Sequence, residues 1–210
     1  MTIVCPDGRE LSAEITLRYY LDKESDKVMV RGVTHDISLR KRLERYHNLG
    51  MMALQILSRS DDFVELLKHL VVCIRDETNV ASVGIRLRSG IGFPYVASAG
   101  LDDGFMKKED QLLIQEDGKF VLMENGSLKL RCLCGAVLNG AEAFGWSRTQ
   151  LGTIWTDDLE GDYQKLHPGS EPPVCQTCHY KSMIIAPIRV NGETAGLLKL
   201  NSRNTQEFSK

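Results

Sequence analysis

Apolar and polar residues alternate from Leu11 to Tyr20, with Leu11, Ala13, Ile15, Leu17 and Tyr19 on one side and Glu14, Thr16 and Arg18 on the other. A period of two predicts a half-buried strand. A polar turn from Asp22 to Lys27 and a second apolar run from Val28 to Val33 complete an antiparallel hairpin. Two strands do not bury a core alone, so this piece is expected to lean on something else. From Ile37 the period becomes helical, with Leu39, Leu43 and Tyr46 at coiled-coil spacing among Arg40, Lys41, Arg42, Glu44 and Arg45. Gly50 weakens that helix, and Ser60 or Asp61 is the expected N-cap of the next. Phe63, Leu66, Leu67, Leu70, Val71 and Ile74 then follow the spacing of an amphipathic helix, with Cys73 packed beside the stripe.

Two strands are expected next: Val83, Ile85 and Leu87 alternate with Gly84 and Arg86, and Phe93 to Ala97 follows a turn at Gly90–Gly92. The stretch from Leu101 to His167 reads as irregular, with one helix starting near Cys134 and running through Val137 and Leu138. Ser182 to Val190 is a strongly apolar strand in which Pro187 predicts an edge or a bulge. Asn191-Gly192 is a two-residue hairpin turn, and Ala195 to Leu200 is the returning strand. Helix, two strands, irregular middle and two strands imply an antiparallel sheet with helices against it. The fold class is α+β.

Charge narrows the range of partners. With 26 Lys and Arg against 28 Asp and Glu, a formal net charge of −2 predicts no attraction to nucleic acid or to an anionic membrane. No apolar run is long enough to span a bilayer, and Met1 to Glu10 carries charge and Pro6 where a signal peptide needs apolar residues. A cytoplasmic location is expected, with the six cysteines reduced unless something binds them.

Four cysteines form two close pairs, Cys132 with Cys134 and Cys175 with Cys178, on either side of the irregular middle. Two short loops with two sulfurs each are what a tetrahedral thiolate site requires, and closing it would tie down the segment between them. Soft sulfur ligands select zinc first, or an iron–sulfur cluster, over calcium or magnesium. Redox-active thiol pairs and ordinary packing are the other readings. Cys175-Gln176-Thr177-Cys178-His179 also spells a c-type haem attachment motif, in which both thiols bind the porphyrin and His179 ligates iron. Such attachment generally occurs outside the cytosol. His47 lies on the linker helix in a setting unlike a phospho-acceptor, and Trp146 and Trp155 are expected in the core. No phosphate loop, activated nucleophile or carboxylate pair is evident, so no enzyme activity is expected.

Asp7-Gly8-Arg9-Glu10-Leu11 and Gly32-Val33-Thr34-His35-Asp36-Ile37-Ser38 resemble the end of a PAS domain, where an Asp-Ile-Thr-like triplet hands over to a signalling helix. Val83-Gly84-Ile85-Arg86-Leu87, Cys132-Leu133-Cys134-Gly135, Thr153-Ile154-Trp155-Thr156 and the stretch from Ile188 to Asn201 resemble the GAF domain of PAS/GAF sensor histidine kinases. The Cys-x-Cys-Gly motif is similar to that of one subgroup. The resemblance implies residues 1–38 as the C-terminal part of a PAS domain, 39–57 as a signalling linker helix, and 58–210 as a GAF domain lacking its closing helix. It also implies a sensory and regulatory fragment without a kinase core. Both cysteine segments would lie at the ligand cavity, and related GAF sensors bind haem through a single cysteine. Homodimerisation through the linker helix and a histidine kinase or response-regulator pathway are the expected partnerships.

Overall fold

The computed structural model describes residues 1–8, 10–23, 27–59, 62–109, 112–124, 126–140, 146–166, 175, 178–205 and 208. They divide into two units, Met1–Met52 and Ala53–Lys210. The first holds an antiparallel sheet of β1 (Thr2–Val4), β2 (Glu10–Asp22) and β3 (Lys27–Asp36) in that order. The predicted hairpin is present, with Ala13 opposite Asp36 and Asp22 opposite Lys27, and β1 is an addition too short to have been read from a period. Its alternation does not mean burial here. Leu17 and Tyr19 are 51% and 68% exposed, and among the described residues of this unit Ala13 is the buried hydrophobic.

Helix α1 (Ser38–Leu57) begins where Asp36 turns the chain: its carboxylate accepts from the Ser38 N–H at 2.8 Å. That hydrogen bond, foremost, holds the Asp36 carboxyl below its usual range. Gly50 does not interrupt the helix, and no residue of α1 is buried. Leu39, Leu43 and Tyr46 are exposed along it, as is His47.

In the second unit, α2 (Phe63–Thr78) is capped by Asp62, whose carboxylate accepts from the Val64 N–H at 2.7 Å. The predicted caps Ser60 and Asp61 lie outside the described residues. Leu66, Leu67, Leu70 and Val71 are buried, whereas Phe63, expected on the same stripe, is exposed in the first turn. After β4 (Ser82–Leu87) and β5 (Tyr95–Ala99) come α3 (Asp103–Glu109), the small hairpin β6 (Gln115–Glu116) and β7 (Lys119–Phe120), and α4 (Cys132–Leu138). Then follow β8 (Ser147–Arg148), β9 (Ile154–Thr156), α5 (Leu159–Leu166), β10 (Ser182–Val190) and β11 (Glu193–Ser202). The middle is therefore not irregular. Its elements are two to eight residues long, too short to display a period. Helix α4 starts at Cys132, two residues before the expected position.

Six strands form one sheet in the order β5-β4-β11-β10-β9-β8, every pair antiparallel. The α+β class stands. Pro187 pairs with Leu197 of β11 just beyond the short stretch of β10 that β9 covers, and a register shift follows at Ile188/Arg189. The proline thus sits where its missing N–H leaves no ladder bond unmade on the β9 side. One face of the sheet, carrying Val83, Ile85, Ala97, Ala99 and Leu200, packs on α2. The other, carrying Met183, Ile185, Leu197 and Ile154, packs against Phe105, Leu133, Val137, Leu138, Trp146 and Leu159 from α3, α4, α5 and their connections. Among the described residues no helix is long and apolar enough to cross a membrane.

Candidate functional site

Register decides what lies under the second face. Strand β11 sets Leu197 against Arg86, Lys199 against Gly84 and Asn201 against Ser82, so all six positions point to the same side. Polar residues alternating on a strand usually meet solvent. Here the sheet is covered on both faces, and Arg86 and Lys199 are 0% exposed. Glu109, in the last turn of α3, is 5% exposed and meets them both. Asp102 positions it by accepting from the Phe105 N–H at 2.8 Å, which fixes the start of that short helix.

The Lys199 ammonium donates to both Glu109 carboxylate oxygens, at 2.8 and 3.0 Å, and to Cys175 Sγ at 3.0 Å. The Cys175 thiol donates to Glu109 Oε1 at 2.7 Å, and the Tyr95 hydroxyl donates to Oε2 at 2.7 Å. Arg86 donates to the Glu109 backbone carbonyl at 2.6 Å and to the Phe93 carbonyl at 2.8 Å, placing a cation at the C-terminal end of α3. Its guanidinium also lies 3.8 Å from the centroid of the Tyr95 ring. Deeper along the same face Asn201 donates to Ser82 Oγ at 2.9 Å, and the Ser82 and Tyr180 hydroxyls are 3.1 Å apart.

The cysteines divide unevenly. Cys134 and Cys175 are buried in this core, and Cys132 and Cys178 pack partly buried against it. Helix α4 presses close because residue 135 is glycine: a Cβ there would come within 2.5 Å of Leu130 Cβ and 2.7 Å of its carbonyl carbon. Cys132 enters the helix at φ +61°, a left-handed conformation that a side chain rarely adopts. His179 has φ +61° as well, but it is exposed while Cys175 is buried. Among the described residues, no three His, Cys, Asp or Glu side chains are grouped as a metal ion requires. The Lys199 ammonium sits against both Cys175 and Glu109.

The electrostatics follow from this packing. Burial works most strongly to raise the Glu109 carboxyl, but the Lys199 charge and hydrogen bonds from Cys175, Lys199 and Tyr95 hold it down to about 2. A hydrogen bond from Cys132 brings the Cys134 thiol down to about 7 against burial, with Lys199 helping. Burial drives Cys175 upward, and the Glu109 carboxylate adds to it. Burial opposes the Lys199 charge, yet the sulfurs of Cys134 and Cys175 and the Glu109 carboxylate outweigh it and push its pKa well up.

The sequence pointed to Cys132, Cys134, Cys175 and Cys178 and missed Arg86, Tyr95, Glu109 and Lys199. No sequence signal singles them out, since Arg86 and Lys199 each read as a charge on the solvent side of a strand. Trp146 is buried, as expected, and Trp155 is half-buried on β9.

No family model and no curated protein matches this sequence. Solved structures do. A GAF sensor protein from Burkholderia vietnamiensis, described as putative, has a TM-score of 0.51 at 12% identity, covering 79% of this chain and 82% of that one. The GAF domain of an Acinetobacter phosphoenolpyruvate-protein phosphotransferase has a TM-score of 0.50 at 16% identity, covering 80% and 82%. The fold is thus GAF-like. A free methionine-R-sulfoxide reductase from Neisseria meningitidis is also similar, with a TM-score of 0.47 at 16% identity, covering 76% and 74%. The expectation that the chain is no enzyme does not stand: solved structures similar to it include free methionine-R-sulfoxide reductases, and a fold alone does not decide whether its chain is a catalyst.

Proposed function

We propose that Ala53–Lys210 is a sensory and regulatory module of a cytoplasmic signalling protein, and that its sensing element is the buried thiol–charge cluster of Cys134, Cys175, Glu109 and Lys199. One observation carries the reading: the Lys199 ammonium lies 3.0 Å from Cys175 Sγ inside the core. Two cations, a carboxylate and two thiols are costly to bury, and apolar side chains of similar volume would stabilise the fold at least as well. Perturbed groups packed together in this way mark functional positions. Cys134, brought down to about 7, is the more reactive thiol toward oxidants, electrophiles and soft metals, and Cys175 shares its core. A change at sulfur would be felt at once by α3 and α4, which carry Glu109 and Cys134.

The test is hydrogen exchange of protein purified without air, before and after exposure to hydrogen peroxide. The expected result is altered exchange in α3 and α4 of wild type, absent in a Cys134→Ser, Cys175→Ser double variant. Equal change in the double variant would remove the cluster as the sensing element.

A second reading is favoured by the convergence of Cys134 and Cys175 in one core with Cys132 and Cys178 packed against it. A thiophilic metal, zinc before an iron–sulfur cluster, would displace thiol protons there and expel the Lys199 ammonium. Metal content of wild type and of each single Cys→Ser variant tests it, with Cys5 and Cys73 as controls. The haem alternative fits less well, since Cys175 bonds inward to Lys199 and Glu109 while His179 faces outward. For assembly, the exposed stripe of Leu39, Leu43 and Tyr46 supports a weak homodimer through α1 feeding a histidine kinase or response-regulator pathway. Leu43→Asp should then lower the sedimentation mass to that of a monomer, and an unchanged mass would remove α1 from the interface.

A further inference from the structure

We propose that Cys175 and Lys199 are the two ends of a reversible covalent cross-link, in which one oxygen atom bridges Cys175 Sγ and Lys199 Nζ. The inference rests on the thiol-sensing reading and names its chemistry. Three features of the pair favour a sulfur–oxygen–nitrogen bridge. The atoms are already in contact, 3.0 Å apart, and a single oxygen between sulfur and nitrogen spans only slightly less than that. Both side chains are held: Lys199 is 0% exposed and Cys175 is 3% exposed. A carboxylate touches both, since Glu109 Oε1 accepts from the thiol at 2.7 Å and from the ammonium at 2.8 Å, which fixes the two heads beside one another. Ordinary thiol oxidation proceeds to sulfenic acid or to a disulfide. The Cys175 sulfur, however, faces a carboxylate and an amine.

The oxidant is molecular oxygen, small and apolar enough to enter a core. Thiol, ammonium and dioxygen give the bridge, one water and one proton. The sulfur and the nitrogen each lose two electrons, and dioxygen takes all four. The S–H bond, one amine N–H bond beyond the ammonium proton, and the O–O bond are broken. An S–O and an N–O bond form, one oxygen becoming the bridge and the other leaving as water. The bridge removes the Lys199 charge from the core, ties the segment before β10 to β11, and leaves Glu109 to Arg86 and Tyr95. Four equivalents of a thiol reductant cleave it: two reductant disulfides form, the bridging oxygen leaves as water, and both side chains are restored.

Mass spectrometry of the full chain, kept anaerobic or exposed to air, tests this without any variant. The expected oxidised form is heavier by one oxygen and lighter by two hydrogens, yields a Cys175–Lys199 cross-linked peptide, and reverts with dithiothreitol. The cross-linked peptide should be absent from Lys199→Arg, which keeps the charge, and from Cys175→Ser. An oxidised wild type in which Cys175 gains one oxygen alone, or loses hydrogen to a second cysteine, would overturn the bridge and leave thiol sensing standing. A cluster with no cysteine altered in air or in peroxide would overturn both.

Discussion

The two faces of the six-stranded sheet have the same strands and opposite contents. Toward α2, β4 and β11 present Val83, Ile85 and Leu200, an all-apolar surface. Toward α3 and α4 the same strands present Ser82, Arg86, Lys199 and Asn201, each buried. The first face is held by transfer of apolar area from water. The second adds to an apolar cluster around Met183, Ile185 and Leu197 a set of buried charges, each tolerable only beside an opposite charge or a hydrogen-bond partner. Stability on the apolar face is therefore divided among many side chains. On the other face a few charged atoms are added to the apolar packing, and chemistry at any of them changes the balance for the rest.

The largest effect should come from breaking that balance. Glu109→Ala leaves Lys199 and Arg86 buried without their carboxylate, and urea unfolding should show a loss of about 3–5 kcal/mol. The double variant Glu109→Leu, Lys199→Met should recover more than half of the loss, and a double variant no better than the single would mean that charge is not the cause. On the apolar face, Leu67→Ala should cost roughly 3–4 kcal/mol by leaving a cavity, while the alkylation rate of Cys134 stays at the wild-type value. A change in that rate would mean the two faces are not independent.

Acid separates the faces further. The Glu109 carboxyl is lowered from 4.5 to about 2, so its contribution is fully present above pH 4.5 and disappears as pH falls through the folded value. About 3 kcal/mol should be lost over that window, and Glu109→Gln should lack the transition. The smallest effect belongs to the edge of the apolar face. Asp62→Ala removes the cap of α2 and should cost about 1 kcal/mol, readable as a small drop in melting temperature.

What the sequence revealed follows the same division. Leu66, Leu67, Leu70 and Val71 sustain a helical period over two turns, so α2 was legible, and β10 and β11 were legible from their runs and the Asn191-Gly192 turn. Helix α3, strand β9 and helix α5 are too short to carry a period, and the middle therefore read as irregular. The cysteines stood out because their spacing is unusual. Arg86 and Lys199 did not, because in a strand a charge flanked by apolar neighbours is the ordinary sign of a solvent-facing position. Only the coverage of both faces, a tertiary fact, turns that pattern into a buried site.

Gly84 lies opposite Lys199, beneath the ring of Tyr95. A Cβ there would come within 2.6 Å of Tyr95 Cε1 and 3.2 Å of Leu101 Cδ1. That ring rests against the Arg86 guanidinium and delivers its hydroxyl to Glu109. A single methyl group at position 84 would therefore act as a mechanical dial on the thiol cluster, tilting the phenol away from its carboxylate with no polar atom of the cluster altered. The responsiveness of the site can thus be retuned by a residue that takes no part in its chemistry.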